Sequence, residues 1–245
     1  MPQKAIDPKS GRMPQIALEH VTKYYTNEKK RFAAIDDLSL QIEKGEFVFV
    51  IGSSGAGKTT LLRLIANQIQ PEEGSIWVGG VDIARLKNRR RPAYRRNVGQ
   101  VWQDASLIRK KTIAENLELV QQAMGVHAGV ISENTHKALA LVGMRSFAQR
   151  YPVELSGGQI KMVELARAVV CTPPILVVDE ITANLDEDTG WDIMNILQEI
   201  NRCGTTVIAA THAKNFVNIL CRRVVTLVAG RVAGDVKKGK YGELR

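Results

Sequence analysis

The sequence predicts an α/β domain built around a mostly parallel β-sheet, and three observations support this prediction. Three short apolar runs lack polar alternation, which is typical of strands buried on both faces: Phe47–Ile51, Ile175–Val178 and Thr206–Ala210. Stretches with helical periodicity separate these runs. A glycine-rich turn joins the first run directly to the first helical stretch. Strands and helices that alternate in this way favour parallel strands connected by helices.

The predicted elements follow one another along a single domain, residues 15–245. Residues 1–14 are basic and rich in Lys and Pro, and we expect them to form a flexible tail. Alternating apolar residues between Gln15 and Ile51 predict strands. Helices are predicted at Thr59–Asn67, Ile113–Met124, His136–Val142, Ile160–Val170 and Gly190–Asn201. Residues 104–151 contain only helical patterns, which predicts an inserted helical subdomain.

Composition and charge exclude several classes of protein. Of the 245 residues, 44% are hydrophobic and 24% are charged, which excludes disordered and fibrous chains. A net charge of +9 favours an anionic partner such as a nucleotide, a nucleic acid or an anionic membrane surface. Three cysteines without C-x-x-C spacing argue against a disulfide framework or a zinc site. No apolar run approaches the ~20 residues of a membrane-spanning helix. We therefore expect a cytoplasmic protein.

The turn after the first apolar run fits the phosphate-binding pattern G-x-x-x-x-G-K-[ST]. Its residues are Gly52, Ser53, Ser54, Gly55, Ala56, Gly57, Lys58, Thr59 and Thr60. Backbone N–H groups of such a loop, together with the positive end of the following helix, receive phosphate oxygens. Lys58 is predicted to reach the β- and γ-phosphates and Thr59 to hold Mg²⁺. The alternative is a glycine-rich turn without a ligand, but its position between strand and helix favours nucleotide binding.

Two acidic residues follow the second buried run. Asp179 and Glu180 come directly after Ile175–Val178, and the carboxyl end of a parallel strand opens into the same crevice as the phosphate loop. We expect Asp179 to hold Mg²⁺ and Glu180 to polarise an attacking water molecule. The alternative is a solvated turn rich in acids, because further acidic residues follow closely.

A second glycine-containing segment precedes a predicted helix. It consists of Leu155, Ser156, Gly157, Gly158 and Gln159. Ser156 is suited to the N-cap, and the glycines leave backbone N–H groups free to receive an anion. By itself this segment is also consistent with an ordinary capped helix start. It lies, however, between the phosphate loop and the acidic strand end, and a later strand leads to His212.

This ordered set of motifs resembles the nucleotide-binding subunits of ABC-type ATPases, from about Gln15 to the C-terminus. The resemblance implies a P-loop NTPase fold with a mixed, mostly parallel sheet, an antiparallel β subdomain and a helical subdomain at 104–151. It also implies that Tyr25, with Tyr24 as the alternative, stacks on adenine. Gln103 would lie near Mg²⁺ and at the hinge to the helical subdomain.

The same resemblance implies roles for the remaining motifs. Glu180 would be the general base, and His212 would contact the γ-phosphate. Magnesium would be held by Thr59, Gln103 and Asp179. Residues 155–159 would be the signature that completes the ATP site of a second copy, so that ATP binds in a homodimer. The D-loop would consist of Asn184, Leu185 and Asp186.

Within the family, the resemblance is closest to ATP-binding subunits that act in bacterial cell division at the cytoplasmic face of the inner membrane. Such a subunit would couple ATP-driven dimer closure to an integral membrane partner that regulates peptidoglycan hydrolases. The alternative is an exporter of the lipoprotein-releasing or macrolide type. A nucleic-acid maintenance ATPase is disfavoured because the chain has neither long heptad arms nor zinc-type cysteines.

Two features leave the partner contacts and the rate of hydrolysis open. The segment Arg85–Arg96 carries seven positive side chains, which could contact anionic lipid or acidic loops of the partner, or form a solvated basic face. The chain has Ile181 where many relatives have proline, and Ile160–Val163 where many have a basic, glutamine-rich run. Neither change removes a phosphate-contacting group, so we expect hydrolysis to be retained.

Overall fold

A computed structural model describes residues 14–27, 30–104 and 106–243. The predicted tail lies outside these residues, apart from Pro14. Within the described residues there are ten strands: β1 (Ile16–Asn27), β2 (Lys30–Ile42), β3 (Phe47–Ile51), β4 (Glu73–Val78), β5 (Val81–Asp82), β6 (Val98–Val101), β7 (Ile175–Asp179), β8 (Thr206–Ala210), β9 (Arg223–Val228) and β10 (Arg231–Val236). The α-helices of the same residues are α1 (Lys58–Ile65), α2 (Arg91–Arg95), α3 (Ile113–Met124), α4 (Ala128–Leu141), α5 (Gly157–Val169), α6 (Glu187–Arg202) and α7 (Lys214–Leu220).

The strands form two sheets. The larger sheet has the order β10-β9-β3-β8-β7-β6, in which β9, β3, β8, β7 and β6 are parallel and β10 is antiparallel to β9. The smaller sheet has the order β2-β1-β4-β5 and is antiparallel throughout. The predicted mixed fold, with a mostly parallel sheet and an antiparallel β unit, is confirmed.

The central strand β3 separates two hydrophobic cores. Its five residues are all buried. Phe47, Phe49 and Ile51 pack with the core that contains α3, α5 and α6. Val48 and Val50 pack on the opposite face, with α1 and the antiparallel sheet. Because each face of the strand meets a core, the sequence shows an unbroken apolar run instead of an alternating one.

Side-chain caps set the true starts of two helices. Helix α5 starts at Gly157, ahead of the predicted Ile160, because the Ser156 hydroxyl accepts from Gln159 N at 3.3 Å while Ser156 N donates to the Gln159 side chain at 3.0 Å. Helix α6 likewise begins directly after Asp186. The predictions were late by a turn because apolar periodicity begins only after the capped first turn.

The stretch predicted as a helical insert contains α3 and α4, which pack against each other and against α5. Leu117 and Leu139 are fully buried in the shared core. Helix α4 begins at Ala128, well before the predicted His136. None of the helices in the described parts of the chain combines the length and apolarity needed to cross a lipid bilayer.

Candidate active site

The predicted phosphate loop connects β3 to α1 and is held in place by both sheets. Gly57, the N-cap of α1, has φ +105°, and a Cβ atom there would lie 2.4 Å from the carbonyl oxygen of Ala34. Gly230 N donates to Ala56 O at 3.1 Å, and Gly230 O accepts from Asp36 N at 3.0 Å. The loop therefore contacts β2 on one side and the β9–β10 turn on the other. Only glycine fits at position 57, because both the positive φ and the close carbonyl exclude a side chain.

Lys58 lies at the centre of a cluster of polar groups. Its Nζ donates to Gly52 O at 3.0 Å and to Ser53 O at 3.2 Å. The same atom lies 2.8 Å from Nε2 of His212 and 3.9 Å from Oε1 of Glu180. The ammonium group is thus directed into the loop, and its side chain is only 5% exposed.

Burial changes the acid–base properties of the cluster. It lowers the pKa of Lys58, and the negative charges of Glu180 and Asp179 oppose this effect. Burial raises the pKa of Asp179, although a hydrogen bond from Thr59 acts in the opposite direction. The Thr59 hydroxyl donates to Oδ2 of Asp179 at 2.8 Å. The other oxygen, Oδ1, is buried and has no hydrogen-bond partner among the residues that the structure describes.

Glu180 and His212 meet because they follow neighbouring strands. Strands β7 and β8 are parallel, so their carboxyl ends lie at the same edge of the sheet. Oε1 of Glu180 lies 3.1 Å from Nε2 of His212. The backbone of Glu180 is left-handed, with φ +49°, and its N–H donates to Ala210 O at 2.9 Å. A non-glycine residue in this conformation is strained, which is common at functional sites.

An open cavity of about 600 Å³ lies over the phosphate loop. It is lined by Tyr25, Phe32, Ala34, Ser54, Gly55, Gly57, Lys58, Thr59, Thr60, Gln103, Glu180 and His212. Gly52 and Ser53 lie beneath Lys58 and offer it their carbonyl groups. Ala56 is buried below the loop. The cavity therefore brings together the predicted phosphate, base and γ-phosphate residues with Gln103.

Aromatic residues line the outer end of this cavity. Tyr25 contributes to the wall, whereas the ring of Tyr24 is covered by the guanidinium of Arg31 at 3.8 Å. Phe32 is paired with Tyr25 across the β1–β2 hairpin, with 6.2 Å between ring centroids, and it is 49% exposed. The sequence analysis missed Phe32. The available signal was two aromatic residues flanking a polar turn, since such residues oppose each other in a hairpin.

The structure does not bring the signature and D-loop residues into this cavity. None of the five residues Leu155, Ser156, Gly157, Gly158 and Gln159 is among the described residues that line it. Ser156 and Gly157 are exposed at the start of α5. Asn184, Leu185 and Asp186 lie between β7 and α6, and a hydrogen bond from Thr189 N lowers the pKa of the capping Asp186. Most of the predicted nucleotide-site residues thus line one cavity, and Asp179 is buried beside Thr59 without lining it. The signature and D-loop residues lie outside the lining of this cavity.

Comparisons with known proteins identify the family to which the chain is similar. The sequence profile of a family described as ABC transporter matches residues 35–183. The chain is 39% identical over 230 residues to the cell division ATP-binding protein FtsE of Streptococcus pneumoniae, covering 94% of this chain and 99% of that protein. It is 41% identical over 227 residues to FtsE of Mycobacterium tuberculosis, covering 93% and 98%. A dimeric, post-hydrolysis structure of the ATP-binding cassette MJ0796 bound to ADP and Pi superimposes with a TM-score of 0.84 at 31% identity, covering 92% of this chain and 100% of the cassette.

Proposed function

This chain belongs to the ABC transporter family, and on that basis we propose that it is an FtsE-like ATPase subunit that drives a membrane partner in bacterial cell division. Hydrolysis of ATP is the activity of this family. The observation that carries the proposal for the site is the convergence of Lys58, Glu180 and His212 over one glycine-rich loop. The near-complete coverage of the FtsE proteins supports the same role for the whole chain.

We assign the chemical step to groups of this chain. Water attacks the γ-phosphorus of ATP, a bond forms between its oxygen and phosphorus, and the bond to the β–γ bridging oxygen breaks to release ADP and phosphate. Glu180 accepts the proton of the attacking water, since it is the carboxylate that lines the cavity. Lys58 and the loop N–H groups stabilise the phosphate charge, and His212 contacts the γ-phosphate.

The residues next to the loop suit Mg²⁺. Oδ1 of Asp179 is buried with no hydrogen-bond partner in the described parts of the chain, and the Thr59 hydroxyl donates to the other oxygen. Hydroxyl, carboxylate and amide oxygens are the donors that Mg²⁺ prefers, and Gln103 offers an amide at the cavity wall. Thr59, Asp179 and Gln103 would hold the ion, which when bound neutralises part of the triphosphate charge.

The separation of the two surfaces supports ATP-dependent pairing of two copies. The start of α5 is an exposed helix N-terminus capped by Ser156, which suits an anion. Its residues are not among the described residues that line the cavity of their own chain, whereas a second copy could present them to the nucleotide. ATP would then join two copies, and loss of the γ-phosphate would release them.

A surface groove on the same chain supports a membrane partner, which we propose to be FtsX-like. The groove, about 480 Å³, lies between α2, α3 and α5. Val120 and Met124 contribute apolar surface, and Arg95, Arg96 and Arg167 contribute positive charge. An amphipathic cytoplasmic helix with acidic residues, supplied by an integral membrane protein, is complementary to this surface. Strand β6, which also lines the groove, leads directly to Gln103.

We also propose that the basic segment Arg85–Arg96 contacts anionic lipid at the cytoplasmic face of the membrane. Tyr94 donates to Ile65 O at 2.6 Å and Arg95 donates to Asn67 O at 2.8 Å, so the segment is anchored to the end of α1. Several of its other charged side chains remain exposed. Each exposed basic side chain close to an anionic surface contributes ~1 kcal/mol. Binding to vesicles with and without phosphatidylserine, at two salt concentrations, tests this contact.

Replacement of the chromosomal copy by Glu180→Gln tests the role in division. We expect elongated cells without completed septa, because the variant binds ATP but cannot complete the cycle. Glu187→Gln, an exposed acid at the start of α6, serves as the control and should divide normally. Normal division together with retained lipoproteins or lost drug export would contradict the division role and favour an exporter.

Ala123→Asp should abolish copurification with membranes while leaving ATP binding intact, because Ala123 lines the groove.

A further inference from the structure

One face of α5 is bonded to the segment that follows β6. Lys161, Glu164 and Arg167 are three residues apart and lie on the same side of the helix. Nζ of Lys161 donates to Trp102 O at 2.9 Å, to Gln103 O at 2.7 Å and to Oε2 of Glu164 at 2.9 Å. Since an ammonium group has three protons, all of its hydrogen-bonding capacity is used.

Glu164 and Arg167 hold the next part of the same segment. Oε1 of Glu164 accepts from Ser106 N at 2.5 Å and from the Ser106 hydroxyl at 3.1 Å. Arg167 donates to Ser106 O at 2.8 Å and also to its hydroxyl. The side chain of Glu164 is 1% exposed and that of Lys161 is 11% exposed. The contact is therefore a buried network and not a surface ion pair.

Helix packing alone does not account for this network. Removing two charges from water is costly, and a pair of apolar side chains of similar size would join the helix to the core at least as well. What an apolar pair cannot do is bond the two carbonyl groups at Trp102 and Gln103. The specific effect of Lys161 and Glu164 is thus to fix the backbone at the cavity-lining Gln103 relative to α5.

We propose that Lys161 and Glu164 are positioning residues of the ATPase, which couple the nucleotide contact at Gln103 to the helix that begins with Ser156. The start of α5 is the exposed surface that would meet the nucleotide bound to a second copy. Because α5 is rigidly connected to Gln103, nucleotide binding in the cavity of one chain would affect how the start of its α5 binds the nucleotide of the second copy. The inference rests on the proposed pairing of two copies.

Two double variants separate positioning from simple packing. K161M/E164L removes both charges and their hydrogen bonds but keeps side chains of similar size, so neither member of the pair is left charged without the other. Arg167 keeps its hydrogen bonds to Ser106. K161Q/E164Q removes the charges but keeps amide groups that can bond the carbonyls and Ser106. The control is E133Q/K137Q, which removes an exposed ion pair of 2.6 Å on α4. For each variant we would measure thermal stability, kcat and KM for ATP, and ATP-dependent pairing in an E180Q background.

We expect K161M/E164L to fold, to keep KM within ~3-fold and to lose kcat by at least ~10-fold, because a small misplacement of a positioning group acts on the reaction more than on binding. ATP-dependent pairing of K161M/E164L should weaken by a similar factor. K161Q/E164Q should recover most of the loss in kcat and in pairing. The control E133Q/K137Q should match the unaltered protein. Wild-type kcat and pairing in K161M/E164L would overturn the inference. Equal losses in both double variants would also overturn it, because the hydrogen bonds to the carbonyls would then not matter.

A milder substitution keeps the test valid if K161M/E164L does not fold. Ser106→Ala removes only an exposed hydroxyl shared by Glu164 and Arg167. We expect kcat to fall by ~2- to 5-fold with KM unchanged, and an unaltered kcat would overturn the inference. Failure of the proposed pairing is distinguishable, because the E180Q chain without further changes would then remain monomeric with ATP.

Discussion

Glu180 and His212 lie within hydrogen-bond distance, with 3.1 Å between Oε1 and Nε2. The same ring nitrogen lies 2.8 Å from Nζ of Lys58. A single ring nitrogen cannot donate to a carboxylate and accept from an ammonium group at the same time. The three groups therefore compete, and a phosphate that engages Lys58 leaves His212 free to change partner. If ATP binds over this loop as proposed, the competition would connect nucleotide binding to the placement of Glu180.

Glu180→Gln should uncouple binding from hydrolysis. We expect kcat to fall by ~10²- to 10⁴-fold, because a glutamine amide cannot accept the proton of water. ATP affinity should be unchanged, and the paired form should accumulate with ATP. Single-turnover hydrolysis and size-exclusion chromatography measure the two effects, with Glu187→Gln as the control. Turnover at the rate of the unaltered protein would show that another group acts as the base.

Lys58→Met should abolish ATP binding without destabilising the fold at neutral pH. Loss of a charge-assisted contact to phosphate should weaken affinity by ~100-fold or more. Because burial lowers the pKa of Lys58, the folded state holds this proton less tightly than the unfolded chain. The stability of the unaltered protein should thus rise relative to the variant as pH increases from the lowered pKa towards 10.5. Urea unfolding at several pH values measures this difference, and Lys44→Met, at an exposed site, should change neither property.

Asp179→Asn should stabilise the protein while removing Mg²⁺-dependent hydrolysis. Burial raises the pKa of Asp179, so the folded state binds its proton more tightly than the unfolded chain above pH 3.8. The contribution of Asp179 to stability falls as pH rises through this window, and the ionised group is unfavourable at neutral pH. We expect the thermal midpoint in EDTA to rise by a few degrees. Asp192→Asn, an exposed change on α6, is the control, and a lower midpoint for D179N would contradict the argument.

Tyr25→Ala should weaken ATP binding, whereas Tyr24→Ala should not. Stacking of a base on an aromatic ring contributes ~1–3 kcal/mol, which corresponds to ~5- to 150-fold in affinity. Of these two tyrosines, Tyr25 is the one that lines the cavity, whereas the ring of Tyr24 is covered by Arg31. Titration with a fluorescent ATP analogue measures both variants and Phe32→Ala. Similar losses for the two tyrosines would show that the effect comes from the hairpin and not from stacking.

The parts of the fold that could be predicted are those with a local signal. The buried runs beginning at Phe47, Ile175 and Thr206 are recognisable because each strand has a core on both faces. The phosphate loop was predictable because its glycines and lysine lie in one short segment. The roles of the individual site residues remain predictions. The order of the motifs gives the position of each site residue in the sequence. It does not give the distances between residues on different strands, because those distances depend on the sheet topology.

Three other features of the structure could not be predicted, because no pattern in the nearby sequence indicates them. The first half of α4 was missed because its two large apolar residues, Val130 and Ile131, are adjacent and do not repeat at helical spacing before His136. The side chain of His127 caps the start of this helix. Phe32 enters the cavity only through the register of a hairpin. The contacts of Lys161 and Glu164 join segments about 60 residues apart, and no periodicity in one helix identifies such partners.

The contacts of Gly57 and Gly230 with Ala34, Asp36 and Ala56 have a consequence for the order of assembly. The shape of the phosphate loop depends on carbonyl and amide groups from strands far apart in the chain, so it requires β2 and the β9–β10 turn to be in place. We therefore expect a nascent chain to acquire affinity for ATP only after both of these elements have docked. Nucleotide would then stabilise fully folded chains selectively and leave partly folded chains exposed to proteolysis.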